Sequence, residues 1–147
     1  MIQKYVRPEA VAWIEGDREH PDLRGMVEFI PHYDGVEVVA RIRGLPETET
    51  NFFALHIHEG GDCGGEGFSD TGGHFNPGKL PHPMHAGDLP PLLGRGGSAD
   101  MAVVTDRFRI RDVIGKTVVI HSHPDDFRTQ PAGAAGSKIA CGIIQKN

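Results

Sequence analysis

Residues 54–88 read ALHIHEGGDCGGEGFSDTGGHFNPGKLPHPMHAGD, and the rest of the chain is legible as what positions them. The stretch holds five of the nine histidines (His56, His58, His74, His82, His85), one of the two cysteines (Cys63), and ends on Asp88. It opens as a strand: in Leu55-His56-Ile57-His58, alternate residues share a face, so two imidazoles project together while Leu55 and Ile57 turn inward. Taken alone, His-x-His also fits two polar histidines on a solvated strand face. The histidines that follow and the glycine-rich loop after them favour metal binding. His74, His82, His85 and Asp88 supply three imidazoles and a carboxylate, a closed four-ligand zinc set. Pro81 and Pro83 keep that segment out of a helix, so it can wrap an ion. A third contribution lies downstream. His121 ends the apolar run TVVIH and can complete a site with His56 and His58, with His123, Asp125 and Asp126 just beyond. All-imidazole ligation suits copper, and the mixed His/Asp set suits zinc.

Working outward, the chain has 147 residues, enough for one domain spanning 1–147 with a real core. Its 20 glycines and 11 prolines demand many turns and favour an all-β protein over a helical bundle. Strands are expected at 11–15, 23–30, 36–42, 51–58, 99–105, 116–121 and 139–144. Asp34-Gly35 joins the second and third as a hairpin. Alternation in 36–42 marks a half-buried antiparallel strand. Pro90 and Pro91 make 89–93 a covered loop, and 105–113 can form one helical turn. Two long excursions, near 60–93 and 122–136, are of the length that usually carries function.

Net charge is −5 with no basic run, against a nucleic-acid or anionic-membrane partner. No apolar run approaches the roughly 20 residues that cross a bilayer. The first residues, MIQKYVRPEAVAWIEGD, lack the pattern of a secretory leader, so the expectation is a cytoplasmic protein, or a periplasmic or extracellular one whose leader has been removed. Cys63 and Cys141 are two free thiols or one disulfide; spacing alone leaves both open.

Several separated motifs, in order, resemble the copper–zinc superoxide dismutases. They are His56-x-His58-Glu59-x-Gly61-x-Cys63, Gly72-Gly73-His74-Phe75-Asn76-Pro77, Gly87-Asp88-Leu89-Pro90, Val118-Val119-Ile120-His121, Asp125-Asp126 and Ala140-Cys141-Gly142-Ile143-Ile144. The match runs in register from about Phe53 to Ile144. The early cysteine and the Gly-Asp-Leu-Pro look like bacterial members. The resemblance implies an eight-stranded antiparallel Greek-key barrel or sandwich with two long functional loops. It implies copper on His56, His58, His74 and His121, zinc on His74, His82, His85 and Asp88, and His74 as the imidazolate between them. Asp125 would link a ligand of each metal, and Cys63 would pair with Cys141. The implied activity is oxidoreductase chemistry, superoxide to dioxygen and hydrogen peroxide. The implied partners are superoxide and, in many members, a second copy of the chain in a homodimer.

Two features depart from the family. Where it places an arginine beside copper, this chain has Lys138, which keeps the charge but loses the planar fork; activity at a reduced rate is expected. The loop from Asp126 to Gly136 is short, with Arg128 its one cation, so electrostatic steering is expected to be weak. Among histidines outside the motifs, His123 has no implied role and is expected in an exposed loop, as His20 and His32 are in turns. A copper-buffering protein on the same fold is the alternative function, and a zinc-stabilised structural domain a third; the latter leaves His56, His58 and His121 without a purpose.

Overall fold

The structure is a computed structural model and describes residues 6–147. The reading of the first residues as leaderless falls partly on 1–5, outside the described residues. Nine strands form among the described residues: β1 (Ala10–Gly16), β2 (Arg24–His32), β3 (Gly35–Arg43), β4 (Phe52–Phe53), β5 (Leu55–His58), β6 (Leu92–Leu93), β7 (Ala99–Thr105), β8 (Thr117–His121) and β9 (Lys138–Lys146). One helical turn, α1 (Ile110–Val113), precedes β8. Every pairing is antiparallel, and the main sheet runs β5-β8-β9-β1-β2-β3-β7. A second ladder pairs β4 with β6. β4 leads into β5, one edge of the main sheet, and β6 packs on β7, the other edge. The small ladder thus brings the two edges of the curled sheet together, and the strand order departs from chain order as a Greek key does.

The period-2 pattern decides which side chains face inward. In β3, Val36, Val38, Ala40 and Ile42 are buried, while Arg41 and Arg43 are exposed. They join Ile14, Val27, Phe29, Phe53, Leu55, Ile57, Val118, Ile120 and Ile144 in one core. The hairpin between β2 and β3 turns at Tyr33-Asp34, and Gly35, at φ 140°, takes a backbone position that disfavours a side chain. The 51–58 run differs from the expected single strand. Its backbone breaks at Ala54, whose N–H donates to the His123 carbonyl and whose carbonyl accepts from the His121 N–H. Tertiary pairing with the end of β8 therefore splits it into β4 and β5. Likewise 89–93 is only partly loop: Leu92 and Leu93, just past the two prolines, pair with Phe53 and Phe52.

β5 and β8 differ from the other strands in being buried on both faces. One face meets the core. The other is covered by the two long loops, and that covered face carries the histidines.

Candidate metal centre

Register puts three imidazoles on one face. In the β5–β8 ladder, His56 stands opposite Val119 and His58 opposite Thr117. His121 is two residues beyond Val119, so it falls in the same phase. β5 is the sheet edge, and the 59–91 loop satisfies that edge with its own backbone. Phe75 N–H donates to the Ile57 carbonyl, Ile57 N–H to the Gly87 carbonyl, and Glu59 N–H to the Gly73 carbonyl. These bonds set His74 beside His58 and Asp88 beside His56. Gly87 is required there: a Cβ would lie 2.3 Å from the Ile57 carbonyl oxygen.

His56, His58, His74 and His121 form one group whose nitrogens lie within 4.8 Å of one another. The His56 and His74 ring centres are 4.0 Å apart, and those of His56 and His121 4.8 Å. The His58 Nδ1–H donates to the Gly72 carbonyl at 2.8 Å, which leaves Nε2 free. The His56 Nε2–H donates to Asp125 Oδ2 at 2.8 Å, which leaves Nδ1 free.

The second set meets at Asp88. His74 Nδ1 lies 2.8 Å from Asp88 Oδ1 and 3.0 Å from His85 Nδ1. His82 Nδ1 and His85 Nδ1 lie 3.0 and 3.3 Å from Asp88 Oδ2. A tetrahedral zinc site with Zn–N bonds near 2.0 Å has donor–donor edges of about 3.3 Å. A grouping by mutual distance alone puts His56 with His74, His82 and Asp88 instead of His85. His85 also meets His74 and Asp88, and the His56 ring belongs to the first group as well. Asp125 ties the two sets together, because its Oδ1 accepts from His82 Nε2 at 2.7 Å. Each of these imidazoles keeps its Nδ1 free because the other nitrogen is engaged by Asp125.

Three residues that support this geometry have no signature in the sequence. Gln130 clamps the backbone of His82, accepting from its N–H at 2.9 Å and donating to its carbonyl at 2.7 Å. Arg107 donates to the Pro83 and His85 carbonyls at 2.7 and 3.2 Å. Gly133, at φ 73°, makes room for the Asp125–His82 pair, since a Cβ would stand 2.0 Å from Asp125 Oδ1.

Lys138 owes its direction to a bulge. The β8–β9 register pairs Ile120 with Ala140 but His121 with Lys138, so Ile139 is the extra residue and Lys138 shares the face of His121. Its ammonium donates to Thr71 Oγ1 at 2.7 Å and to the Gly72 carbonyl at 3.0 Å, the same carbonyl that orients His58. Burial lowers its pKa from the ordinary lysine value. Cys63 and Cys141 form a disulfide, which ties the segment carrying Thr71 and Gly72 to β9. His123 is exposed, as expected; His20 and His32, expected to be solvated in turns, are half-buried, and His32 is the last residue of β2.

The residues fit a pair of metal ions on three counts. Among the described residues, buried His56 Nδ1, His58 Nε2, His74 Nε2, His82 Nδ1 and His121 Nδ1 have no hydrogen-bond partner, which costs free energy unless something binds them. Three of the histidines on the strand face are kept neutral. Burial, with repulsion from neighbouring rings, lowers the pKa of His58 to about 3 and of His121 to about 2, and burial lowers that of His56. The carboxylates are kept ionised. Burial pushes Asp125 up, but hydrogen bonds from His56, His82 and the Phe127 N–H outweigh it and hold the acid well below its usual range. Burial likewise opposes the His74 bond and the imidazole charges at Asp88, and again the result is a lowered pKa. Neutral imidazole and ionised carboxylate are the ligand forms a metal requires.

The description "Copper/zinc superoxide dismutase" belongs to the family model that matches residues 23–144. Among curated proteins, superoxide dismutase [Cu-Zn] 2 of Aquifex aeolicus is 36% identical over 139 residues, covering 84% of this chain and 80% of that protein. Superoxide dismutase [Cu-Zn] 3 of Arabidopsis thaliana is 34% identical over 152 residues, covering 92% and 88%. Among solved structures, a SOD-like protein from Bacillus subtilis superposes with a TM-score of 0.76 at 28% identity, over 90% of this chain and 96% of that one. The fold is the all-β Greek-key barrel expected, and copper and zinc are the cofactors to which the family and the His/Asp clusters point. By its sequence match over most of its length, this chain belongs to the copper/zinc superoxide dismutase family.

Proposed function

We propose that the protein is an oxidoreductase that dismutes superoxide: two superoxide anions and two protons give dioxygen and hydrogen peroxide. The observation that carries the reading is the two-sided placement of His74. Its Nδ1 sits among Asp88 and His85, and its Nε2 is buried without a partner on the side of the His56, His58 and His121 group. His56, His58, His74 and His121 would hold copper; His74, His82, His85 and Asp88 would hold zinc. Bound copper supplies one-electron exchange between Cu(II) and Cu(I), and zinc stays redox-inert. The chain does the rest. His74 takes up a proton at Nε2 and releases it towards the peroxide product. Asp88 and His85 fix its Nδ1 side, so the ring keeps its place through the exchange. Asp125 holds the His56 and His82 rings in one tautomer. Lys138 contributes a cation on the His121 face that attracts an anionic substrate.

A second reading, a copper-buffering protein on the same fold, draws on one observation: the Lys138 ammonium is already bonded to Thr71 and Gly72. Metal content and superoxide dismutation, measured after reconstitution with copper and zinc, separate the two. Dismutation with both metals bound is expected. Copper bound with no dismutation would overturn the enzyme reading.

A further inference from the structure

The segment from His82 to His85 carries two of the proposed zinc ligands, yet it belongs to neither a strand nor a helix. Met84, between the two histidines, is exposed, so the segment runs along the surface. No regular ladder satisfies its backbone, and the polar groups must find partners elsewhere. Two side chains from distant parts of the chain provide them. Gln130 accepts from the His82 N–H at 2.9 Å and donates to the His82 carbonyl at 2.7 Å. Arg107 Nη1 donates to the Pro83 carbonyl at 2.7 Å and to the His85 carbonyl at 3.2 Å. The Met84 and His85 N–H groups bond locally, to the Pro81 carbonyl and to Asp88 Oδ2.

Both holders are fixed by bonds in which no ligand residue takes part. Gln130 Nε2 also donates to the Arg128 carbonyl at 3.0 Å. Asp126 closes that loop on itself: its Oδ1 accepts from the Arg128 and Thr129 N–H groups at 3.0 and 2.8 Å, and its own N–H donates to the Gly133 carbonyl at 3.0 Å. Arg107 stands just past β7, and its N–H donates to Oγ1 of Thr105, the last residue of that strand, at 3.2 Å. The ligand segment is therefore bonded to the second long loop through Gln130 and to the end of a sheet strand through Arg107.

We propose that Gln130 and Arg107 are positioning residues for zinc: they set the His82–His85 backbone before the ion arrives, and so slow its release. The inference rests on the reading that His74, His82, His85 and Asp88 hold zinc. Asp125 turns the His82 ring, whereas these two residues act on the main chain, which fixes where both rings start. His56, His58 and His121 stand on β5 and β8, whose backbone the ladder already holds. The effect therefore falls on zinc and leaves copper retention unchanged.

The test uses the full chain loaded with copper and zinc. Zinc release to a chromophoric chelator is timed, and copper content is measured on the same samples. Q130M and R107M keep the reach of the side chain and remove its hydrogen bonds. Each is expected to speed zinc release about tenfold or more, the scale on which partners that support a ligand act, with copper retained. R107K keeps a donor for one carbonyl and is expected to fall between R107M and the parent chain. R95M removes an exposed arginine elsewhere and is expected to release zinc at the parent rate. Amide hydrogen exchange of the metal-free protein gives a second readout: the His82 N–H is expected to be protected in the parent chain and to exchange at least about tenfold faster in Q130M. Unchanged zinc release in Q130M and R107M, equal acceleration in R95M, copper lost together with zinc, or an unprotected His82 N–H in the metal-free parent would each overturn the proposal. A chain that binds no zinc at all would overturn the ligand set and the proposal with it, so the two failures are told apart.

Discussion

Asp125 shows how one side chain governs two sites. Each of its oxygens takes one imidazole N–H, from His56 and from His82, so a single carboxylate fixes a ring in each ligand set. Asp125→Ala leaves both Nε2 atoms buried and unpaired and both rings free to turn. Loss of such a partner typically weakens metal binding by about 10–100-fold. Chelator competition is expected to show a loss of that order for copper and zinc together. A loss confined to one metal would mean that the carboxylate acts on one ring only. The candidate ligand residues stand out in the sequence, because few other roles explain five of the nine histidines falling in one stretch. Gln130, Arg107 and Gly133 do not stand out. Each acts through backbone or through space left empty, and neither leaves a residue-type signature.

Among the elements, β9 links the disulfide to the copper-side face. Its bulge at Ile139 turns Lys138 towards His121, and two residues beyond the bulge Cys141 anchors the Cys63 loop. The same loop supplies Thr71 and Gly72, which hold the lysine, and the Gly72 carbonyl, which holds His58. Cys63→Ser reopens a crosslink across 78 positions, worth about 4.5 kcal/mol in the chain-entropy model. Thermal unfolding of the metal-loaded protein is expected roughly 10–15 °C lower. Copper-site spectra are expected to change with it, because His58 loses its fixed acceptor; an altered Tm with unchanged spectra would break that link. Lys138→Arg restores the planar fork. Dismutation is expected to speed up, most at low ionic strength where charge is least screened, and an unchanged rate and salt dependence would remove the guiding role. The strands were legible from alternation, and the functional loops from length and glycine. The break at Ala54 and the bulge at Ile139 were not, because both are decided by the partner strand and not by local preference.

On the scale of the whole molecule, the fold is built around a cost that metal removes. Among the described residues, five buried ring nitrogens have no hydrogen-bond partner, and the metal-free protein must bear them. The same burial makes the metal-free form acid-sensitive. In the folded chain the pKa values of His56, His58 and His121 lie below the usual 6.5, with His58 at about 3 and His121 at about 2. In the unfolded chain they return to about 6.5. Below that value the unfolded state binds protons that the folded state refuses, so stability falls as pH falls, with a limiting slope of about 1.4 kcal/mol per pH unit for each such histidine. Asp125 adds to this only lower down, below the unfolded carboxyl value near 4, because its own pKa is depressed. Denaturant unfolding of chelator-treated protein is therefore expected to lose stability between pH 7.5 and pH 5 and to be flat above pH 7.5. Metal-loaded protein is expected to keep its stability until acid strips the ligands, since bound metal holds the imidazoles neutral. A metal-free protein equally stable at both pH values would mean that the histidine face opens to water once the ions leave, and that the ions, not the loops, close it.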